Sequence, residues 1–371
     1  MTKNARFMHP RLTTELWHFF GYLFLHRARV KAIRSLLCCL CTLGMFVAAP
    51  TARAQTDATA KLMEGAAKEG KFVWYSAMSL NDSKPMLDAF QKQYPFIKAE
   101  LYRAGGKQIM NRVINEARAG HWQFDAVNAS GVNILAQQKL IAPYISPEAN
   151  AYIPEYKDPA GYWAAIYTSL LVPGYNTRLI AEADAPKSWE EFLDPKWKGK
   201  ITIEDEDYTW FATLLSTWGK DRTHDYMRKL ARQDIQWRRG HELMTNLMVS
   251  GELPLGIVYA HSMEAMKKKG APVDWVNTVD PVVVVPITIG LSAQAKNPNA
   301  AKLFIDFILS KRGQEMVSSF NRISARADVK PLSPKLDQKK LKISVVPDDL
   351  ETRHKEYIQD FRSLLGIGEK Q

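Results

Sequence analysis

Beyond residue 70 the apolar positions fall into short runs separated by longer amphipathic stretches. Lys71-Phe72-Val73-Trp74-Tyr75 reads as a strand. Ser83 and Pro85 then open a helix carrying Met86, Leu87 and Phe90, with the proline in the first turn, where a missing N–H has no partner to lose. Residues 97–102 form a second strand. Gly105-Gly106 leads into a helix with Ile109, Val113 and Ala117 on one face, and residues 124–127 form a third strand. This strand–helix–strand–helix–strand order predicts a parallel sheet with helices on its faces.

The pattern returns at mid-chain. Ser188-Trp189-Glu190-Glu191 has the spacing of a capping box. Lys200-Ile201-Thr202-Ile203 is a strand, and residues 208–218 and 221–232 are helical. A helix over 242–250 stops at Gly251, residues 255–259 form a strand, and a helix over 262–269 stops at Gly270. Val282-Val283-Val284-Val285-Pro286 reads as a buried strand ended by its proline, and residues 299–309 as a helix with Leu303, Phe304 and Ile308 as its stripe. The tail from residue 330 is polar and lysine-rich and resolves into a helix over 349–365. Its charges read as a solvated face. No internal repeat, low-complexity run or long linker interrupts the order.

The first 54 residues follow a different pattern. A cationic run at 27–34 is followed by an apolar stretch at 36–49 and then by Ala52-Arg53-Ala54. Charge, apolar core and small-residue exit in that order predict a secretory signal, cleaved between Ala54 and Gln55, and hence a periplasmic protein. The apolar core is short for a membrane span, so an uncleaved anchor helix is the weaker reading. Cys38, Cys39 and Cys41 all lie in this segment. The mature part then has no disulfide framework and no thiolate chemistry. Leu36 and Leu37 before Cys38 argue against a lipoprotein signal, which needs small residues there.

This segment also changes the charge picture. The chain carries a formal +11, but residues 1–54 hold eight of its 50 basic groups and one of its 39 acidic groups. The remainder, 42 basic against 38 acidic, is only mildly basic. Composition therefore gives no case for a nucleic-acid partner.

Several segments together resemble the type II periplasmic binding proteins, in the extracellular solute-binding family that includes the ferric-iron receptors. They are Phe72-Val73-Trp74-Tyr75-Ser76, Gly174-Tyr175-Asn176-Thr177, Trp189 with Phe192, Leu193-Asp194-Pro195-Lys196-Trp197-Lys198-Gly199-Lys200-Ile201, Ser250-Gly251-Glu252, and Asn297-Pro298-Asn299-Ala300-Ala301-Lys302 followed by Ser310-Lys311-Arg312-Gly313-Gln314. The resemblance covers about residues 60–330. It implies two α/β lobes, each a mostly parallel sheet flanked by helices, with a hinge between them and the ligand in the cleft. The division expected is 55–158 for the first part of lobe 1, 159–281 for lobe 2, 282–327 for the return into lobe 1 and 328–371 for a helical tail. The carboxyl ends of the strands would face the cleft, where helix N-termini suit anions and polar groups. Closure about the hinge would trap the ligand.

The ferric members' ligands are an adjacent tyrosine pair, a histidine in the first strand-to-helix turn and a glutamate after the third strand. The matching positions here read Val258-Tyr259-Ala260-His261, Tyr75-Ser76-Ala77-Met78-Ser79 and Asn128-Ala129-Ser130-Gly131. The second tyrosine, the histidine and the glutamate are missing. A ferric site through Tyr259, His261 and a bound anion remains an alternative.

The candidate ligand-binding residues are instead Ser76, Ser79, Ser130, Tyr208, Trp210, Arg239, His241, Tyr259 and His261. Serines in the turns offer hydroxyls to a carboxylate, phosphonate or sugar oxygen, though each also suits a helix cap. Tyr208 and Trp210 follow Ile203, where ferric members bind their anion, and form an aromatic wall or ordinary core. Arg239 in Arg238-Arg239-Gly240-His241-Glu242 can fork onto an anion or pair with Glu242. Arg103 poses the same choice more weakly. Glu204-Asp205-Glu206-Asp207 reads as an exposed loop, with a cation site as the lesser alternative.

The resulting expectation is a monomeric receptor that captures a small anionic or polar organic solute and delivers it to an ABC transporter permease, with no cofactor, no resident metal and no chemistry of its own. The alternatives are ferric-ion binding with an anion and a periplasmic sensor subunit. An enzyme on the same scaffold lacks support, since the chain has no phosphate-binding glycine loop and no zinc-helix motif.

Overall fold

In a computed structural model, the backbone is described for residues 49–350 and 352–368. The signal reading over residues 1–48 lies outside these residues. A helix, α1 (Ala49–Glu69), runs through the expected cleavage junction. No helix among the described residues is long and apolar enough to cross a membrane. The chain divides into two units, Met1–Lys61 and Leu62–Gln371.

The second unit begins with a block made of β1 (Lys71–Ser76), α2 (Leu80–Gln93), β2 (Lys98–Arg103), α3 (Gly106–Arg118), β3 (Ala126–Ala129), α4 (Val132–Gln137) and the short β4 (Ile141–Ala142). β1 pairs in parallel with both β2 and β3, as the alternating pattern predicts. α2 begins earlier than expected, because the Ser79 carbonyl accepts the N–H groups of Asp82 and Ser83. Pro85 is thus inside the helix rather than in its first turn. Phe72, Trp74 and Phe90 close on Phe304 with ring centroids 4.8 to 5.1 Å from it. Each fully buried ring of this kind contributes about 2–3 kcal/mol of transfer free energy.

A long strand, β5 (Ala164–Asn176), then leads to a second block: β6 (Ile201–Glu204), α5 (Tyr208–Trp218), α6 (Lys220–Leu230), β7 (Gln236–Arg238), α7 (His241–Ser250), β8 (Leu255–Tyr259), α8 (Ala260–Lys268) and β9 (Val273–Trp275). β6 pairs in parallel with β7 and β8. The predicted capping box makes a 3-10 turn, Glu190–Leu193, in which Ser188 Oγ accepts the Glu191 N–H at 3.3 Å. The chain returns through β10 (Val282–Ser292), followed by α9 (Pro298–Leu309) and α10 (Lys311–Ser319). β5 and β10 are antiparallel to each other and cross from one block to the other, with strand order β2-β1-β3-β10-β5-β8-β6-β7. The result is two lobes joined by two crossing strands.

Pro286 does not end β10, contrary to its reading as a terminal breaker. On one side it lies opposite Thr168 of β5. On the other, pairing with β11 (Ile343–Val345) stops at Val284 and pairing with β3 starts at Thr288. A residue without an N–H fits this gap at no loss. Past α10 the tail recrosses the molecule. β11 joins β10 in parallel, and α11 (His354–Leu365) packs on α5 and α6, with Phe361 against Phe211 and His224 Nε2 3.0 Å from Asp360.

Candidate functional site

The strands of both lobes point their carboxyl ends at a cavity of about 210 Å3 beside the crossing strands. Lobe 1 contributes Ser130, Gly131 and Asn133 from the turn after β3 and the start of α4. Lobe 2 contributes Tyr208 and Thr209, which open α5, and Tyr259, which ends β8. Ser169 of β5 and Thr288 of β10 add hydroxyls from the crossing strands. The tail roofs the cavity: Val345, Val346, Pro347, Asp348 and Leu350 line it, and Asn133 Nδ2 donates to the Asp348 carbonyl at 3.0 Å.

Of the nine expected ligand-binding residues, Ser130, Tyr208 and Tyr259 line this cavity. Trp210 does not. It is fully buried against Trp189 and Tyr226. Two residues apart on a helix means about 200° of rotation, so Tyr208 at the cavity sends Trp210 into the core. Ser76 is fully buried and its Oγ accepts the Met78 N–H at 3.1 Å, which tightens the first turn. Ser79 precedes α2 without a side-chain cap bond and also lies off this cavity. Arg239 is turned away from the cavity. Its Nε and Nη2 donate to Asp205 at 3.3 Å and its Nη2 to Glu206 at 3.0 Å, with 60% of the side chain exposed. The expected pairing with Glu242 gives way to this acidic loop, which β6 brings alongside β7. Arg103 donates through Nε to the Met78 carbonyl at 3.2 Å and is likewise structural.

The acidic loop itself departs most from expectation. It is not an exposed, solvated run, because Asp205 and Asp207 are 4% and 3% exposed. β6 ends at Glu204, and the run then folds back as a turn, with the Asp205 N–H donating to the Arg238 carbonyl at 3.1 Å and the Asp207 N–H to the Glu204 carbonyl at 3.2 Å. Behind the Tyr208–Tyr259 wall, Glu204, Asp207 and His241 converge. His241 Nε2 lies 3.8 Å from Glu204 Oε2 and 3.8 Å from Asp207 Oδ1. Its Nδ1 lies 3.3 Å from the Ile257 carbonyl, which can only accept, so Nδ1 carries the proton and Nε2 the lone pair. Burial holds the imidazole neutral, with its pKa lowered to about 4. Burial also pushes the Asp207 carboxyl well above the usual carboxylate range, with Glu204 adding repulsion, and burial raises Glu204 in turn.

Tyr259 stands between two histidines. Its ring centroid is 4.4 Å from that of His241 and 5.4 Å from that of His261, stacked on the latter. Burial raises its phenol far above the ordinary value. His261 Nε2 is 3.1 Å from Arg322 Nη1, and the donor-only guanidinium makes it the acceptor. Burial, then the Arg322 charge, lower the His261 pKa to about 3. Arg322 Nε in turn donates to Asp82 Oδ2 at 3.0 Å. A polar relay therefore passes from the first turn of α2 in lobe 1 to the end of β8 in lobe 2. Sequence reading missed Asp82 and Arg322, which are 240 residues apart and meet only through the return of the chain. It also missed Ser169, Thr209 and Thr288, since no local pattern marks a hydroxyl on a crossing strand.

Comparison with known proteins matches this fold. Residues 127–344 match the profile of the family described as "Bacterial extracellular solute-binding protein". The chain is 24% identical over 285 residues to the Fe(3+)-binding periplasmic protein of Serratia marcescens, covering 74% of this chain and 84% of that one. It is 24% identical over 275 residues to the putative 2-aminoethylphosphonate-binding periplasmic protein of Salmonella typhi, covering 71% and 77%. Among solved structures it is similar to the periplasmic binding protein P5PA, at 25% identity and a TM-score of 0.66, covering 80% of this chain and 99% of that one.

Proposed function

The chain belongs to the bacterial extracellular solute-binding protein family, and from that premise we propose that it captures a small anionic or polar organic solute, of carboxylate or phosphonate type, in the cavity between its lobes. It is a periplasmic solute-binding protein of an ABC importer with the two-lobed type II fold. In this reading it reaches the periplasm through a signal cleaved between Ala54 and Gln55, works as a monomer, hands its solute to the membrane permease and performs no chemistry on it.

The observation that carries the solute class is the ring of hydroxyls. Ser130, Thr209, Tyr259, Ser169 and Thr288 approach one cavity from lobe 1, lobe 2 and both crossing strands. Such donors suit the oxygens of a carboxylate or phosphonate and can engage them together only when the lobes close. The phosphonate-binding relative supports this class. The ferric reading keeps one argument, the position of Tyr259 at the end of β8, while His261 is engaged with Arg322.

A thermal-shift screen of residues 55–371 tests the proposal, with 2-aminoethylphosphonate, simple carboxylates, sugar phosphates and ferric citrate as probes. A solute present at 100 times its Kd stabilises the protein by about 2.7 kcal/mol. The expected result is stabilisation by an organic anion without iron. Stabilisation by ferric ion with an anion, and by none of the organic probes alone, overturns it.

A further inference from the structure

We propose that Glu204, Asp207 and His241 bind one divalent first-row transition-metal ion, set directly behind the lobe 2 wall of the cavity. Their donor atoms all lie within 4.8 Å of one another. Small side-chain rotations bring such a set to bonds of about 2.0–2.2 Å around a single ion.

Two further observations point to a ligand. Asp207 Oδ2 is buried and has no hydrogen-bond partner, on a residue only 3% exposed. Buried carboxylate oxygens are ordinarily satisfied, so this one lacks a cation or a donor. His241 uses Nδ1 on a backbone carbonyl and turns the Nε2 lone pair toward both carboxylates. That division of the ring is how proteins orient a metal-binding imidazole. Arg239 makes its ion pairs with Asp205 and Glu206 rather than with Glu204 or Asp207.

The position favours a bare ion over the cationic end of the solute. None of the three residues lines the cavity, whereas Tyr208, Thr209 and Tyr259 do. The cluster is reached past Glu204, whose side chain is 21% exposed against 9% for His241 and 3% for Asp207. One imidazole nitrogen with two carboxylate oxygens suits Zn2+, Mn2+ or Fe2+ better than Ca2+ or Mg2+, which prefer oxygen alone. Bound there, the ion sets positive charge behind the cavity wall, which favours an anionic solute.

Calorimetric titration of tag-free, chelator-stripped protein with Zn2+, in the absence of any organic solute, tests the site. The expected result is one Zn2+ per chain, with affinity reduced at least about tenfold in Asp207→Asn and in His241→Ala. Co2+ should give a visible absorption band that disappears in the same variants, and Mg2+ should give no comparable heat. Glu204→Gln, at the most exposed of the three positions, keeps the test decisive if a buried substitution impairs folding. No stoichiometric Zn2+ uptake, or uptake that survives substitution in a variant folded by circular dichroism, overturns the proposal. Because no solute is present, failure here leaves the solute reading untouched, and failure of the solute screen leaves this one untouched.

Discussion

Asp125 and Asp207 are the same residue type at nearly the same depth, 2% and 3% exposed, one in each lobe. Asp125 is fully engaged. Its Oδ2 accepts from the Val73 N–H and from Asn297 Nδ2, and its Oδ1 from the Asn297 N–H, each at 2.9 Å. It fastens β1 to the start of α9. Asp207 faces a second acid and a neutral imidazole, with one oxygen unpaired. A buried carboxylate held by three donors supports a framework, while one with an orphaned oxygen keeps its capacity for something that arrives from outside. Lobe 1 has used its buried charge to hold itself together, and lobe 2 has kept its own in reserve beside the cavity.

The sharpest way to break this contrast is Asp125→Ala. It strands three donors and is expected to cost at least about 3 kcal/mol in urea unfolding. A loss under about 1 kcal/mol would place Asp125 in the same class as Asp207.

Asp306, an intermediate case, comes next. It accepts from Tyr144 Oη at 2.8 Å and Ser146 Oγ at 2.6 Å, yet burial outweighs both and raises its pKa to about 6. The folded state then holds this proton more tightly than the unfolded state does. Its contribution is most favourable below the unfolded value near 4 and declines as pH rises to about 6, by about 2–3 kcal/mol. Unfolding of wild type and Asp306→Asn at pH 4 and pH 7 measures it, and an equal pH response in both removes Asp306 from the comparison.

Ser130→Ala sharpens the cavity side. Affinity for the solute found by screening should fall about tenfold, equivalent to about 1.4 kcal/mol, with stability unchanged. Asp207→Asn in metal-free protein should change stability by no more than about 1 kcal/mol, since it alters a buried carboxyl that has one oxygen without a partner. A clear loss would reveal a structural partner. Arg239→Ala should have the smallest effect on solute affinity, within about twofold, because the side chain lies off the cavity, although it removes the ion-pair partner of the buried Asp205 and so costs some stability.

The sequence made the alternation of strands and helices legible where a helix keeps one face in water, as α3 does, and where a short apolar strand such as β1 is set off by polar flanks. It hid β5, whose thirteen residues are all buried. Without an exposed face there is no period of two, and Pro173-Gly174 inside it imitates a turn. Pro286 misled for the opposite reason, since the gap that tolerates it is created by β11 more than fifty residues away. At the site, Ser130 and Tyr259 were readable because position after a strand fixes them at the cavity. Asp207 was not, because four acids in a row look solvated, and only the docking of β6 against β7 and β8 shows which of them turn inward.

The tail that roofs the cavity bears on time rather than identity. Four of its five lining residues, Val345, Val346, Pro347 and Leu350, are apolar, and Asp348 is the exception. Val345 belongs to β11, which pairs with β10 and packs on α5, and Asn133 of lobe 1 donates to the Asp348 carbonyl. A cover of this kind acts on how long a captured molecule stays rather than on which molecule is captured. If the solute binds in this cavity as proposed, its residence time, and so the pace at which an importer can be fed, would depend on a segment that offers it few polar contacts.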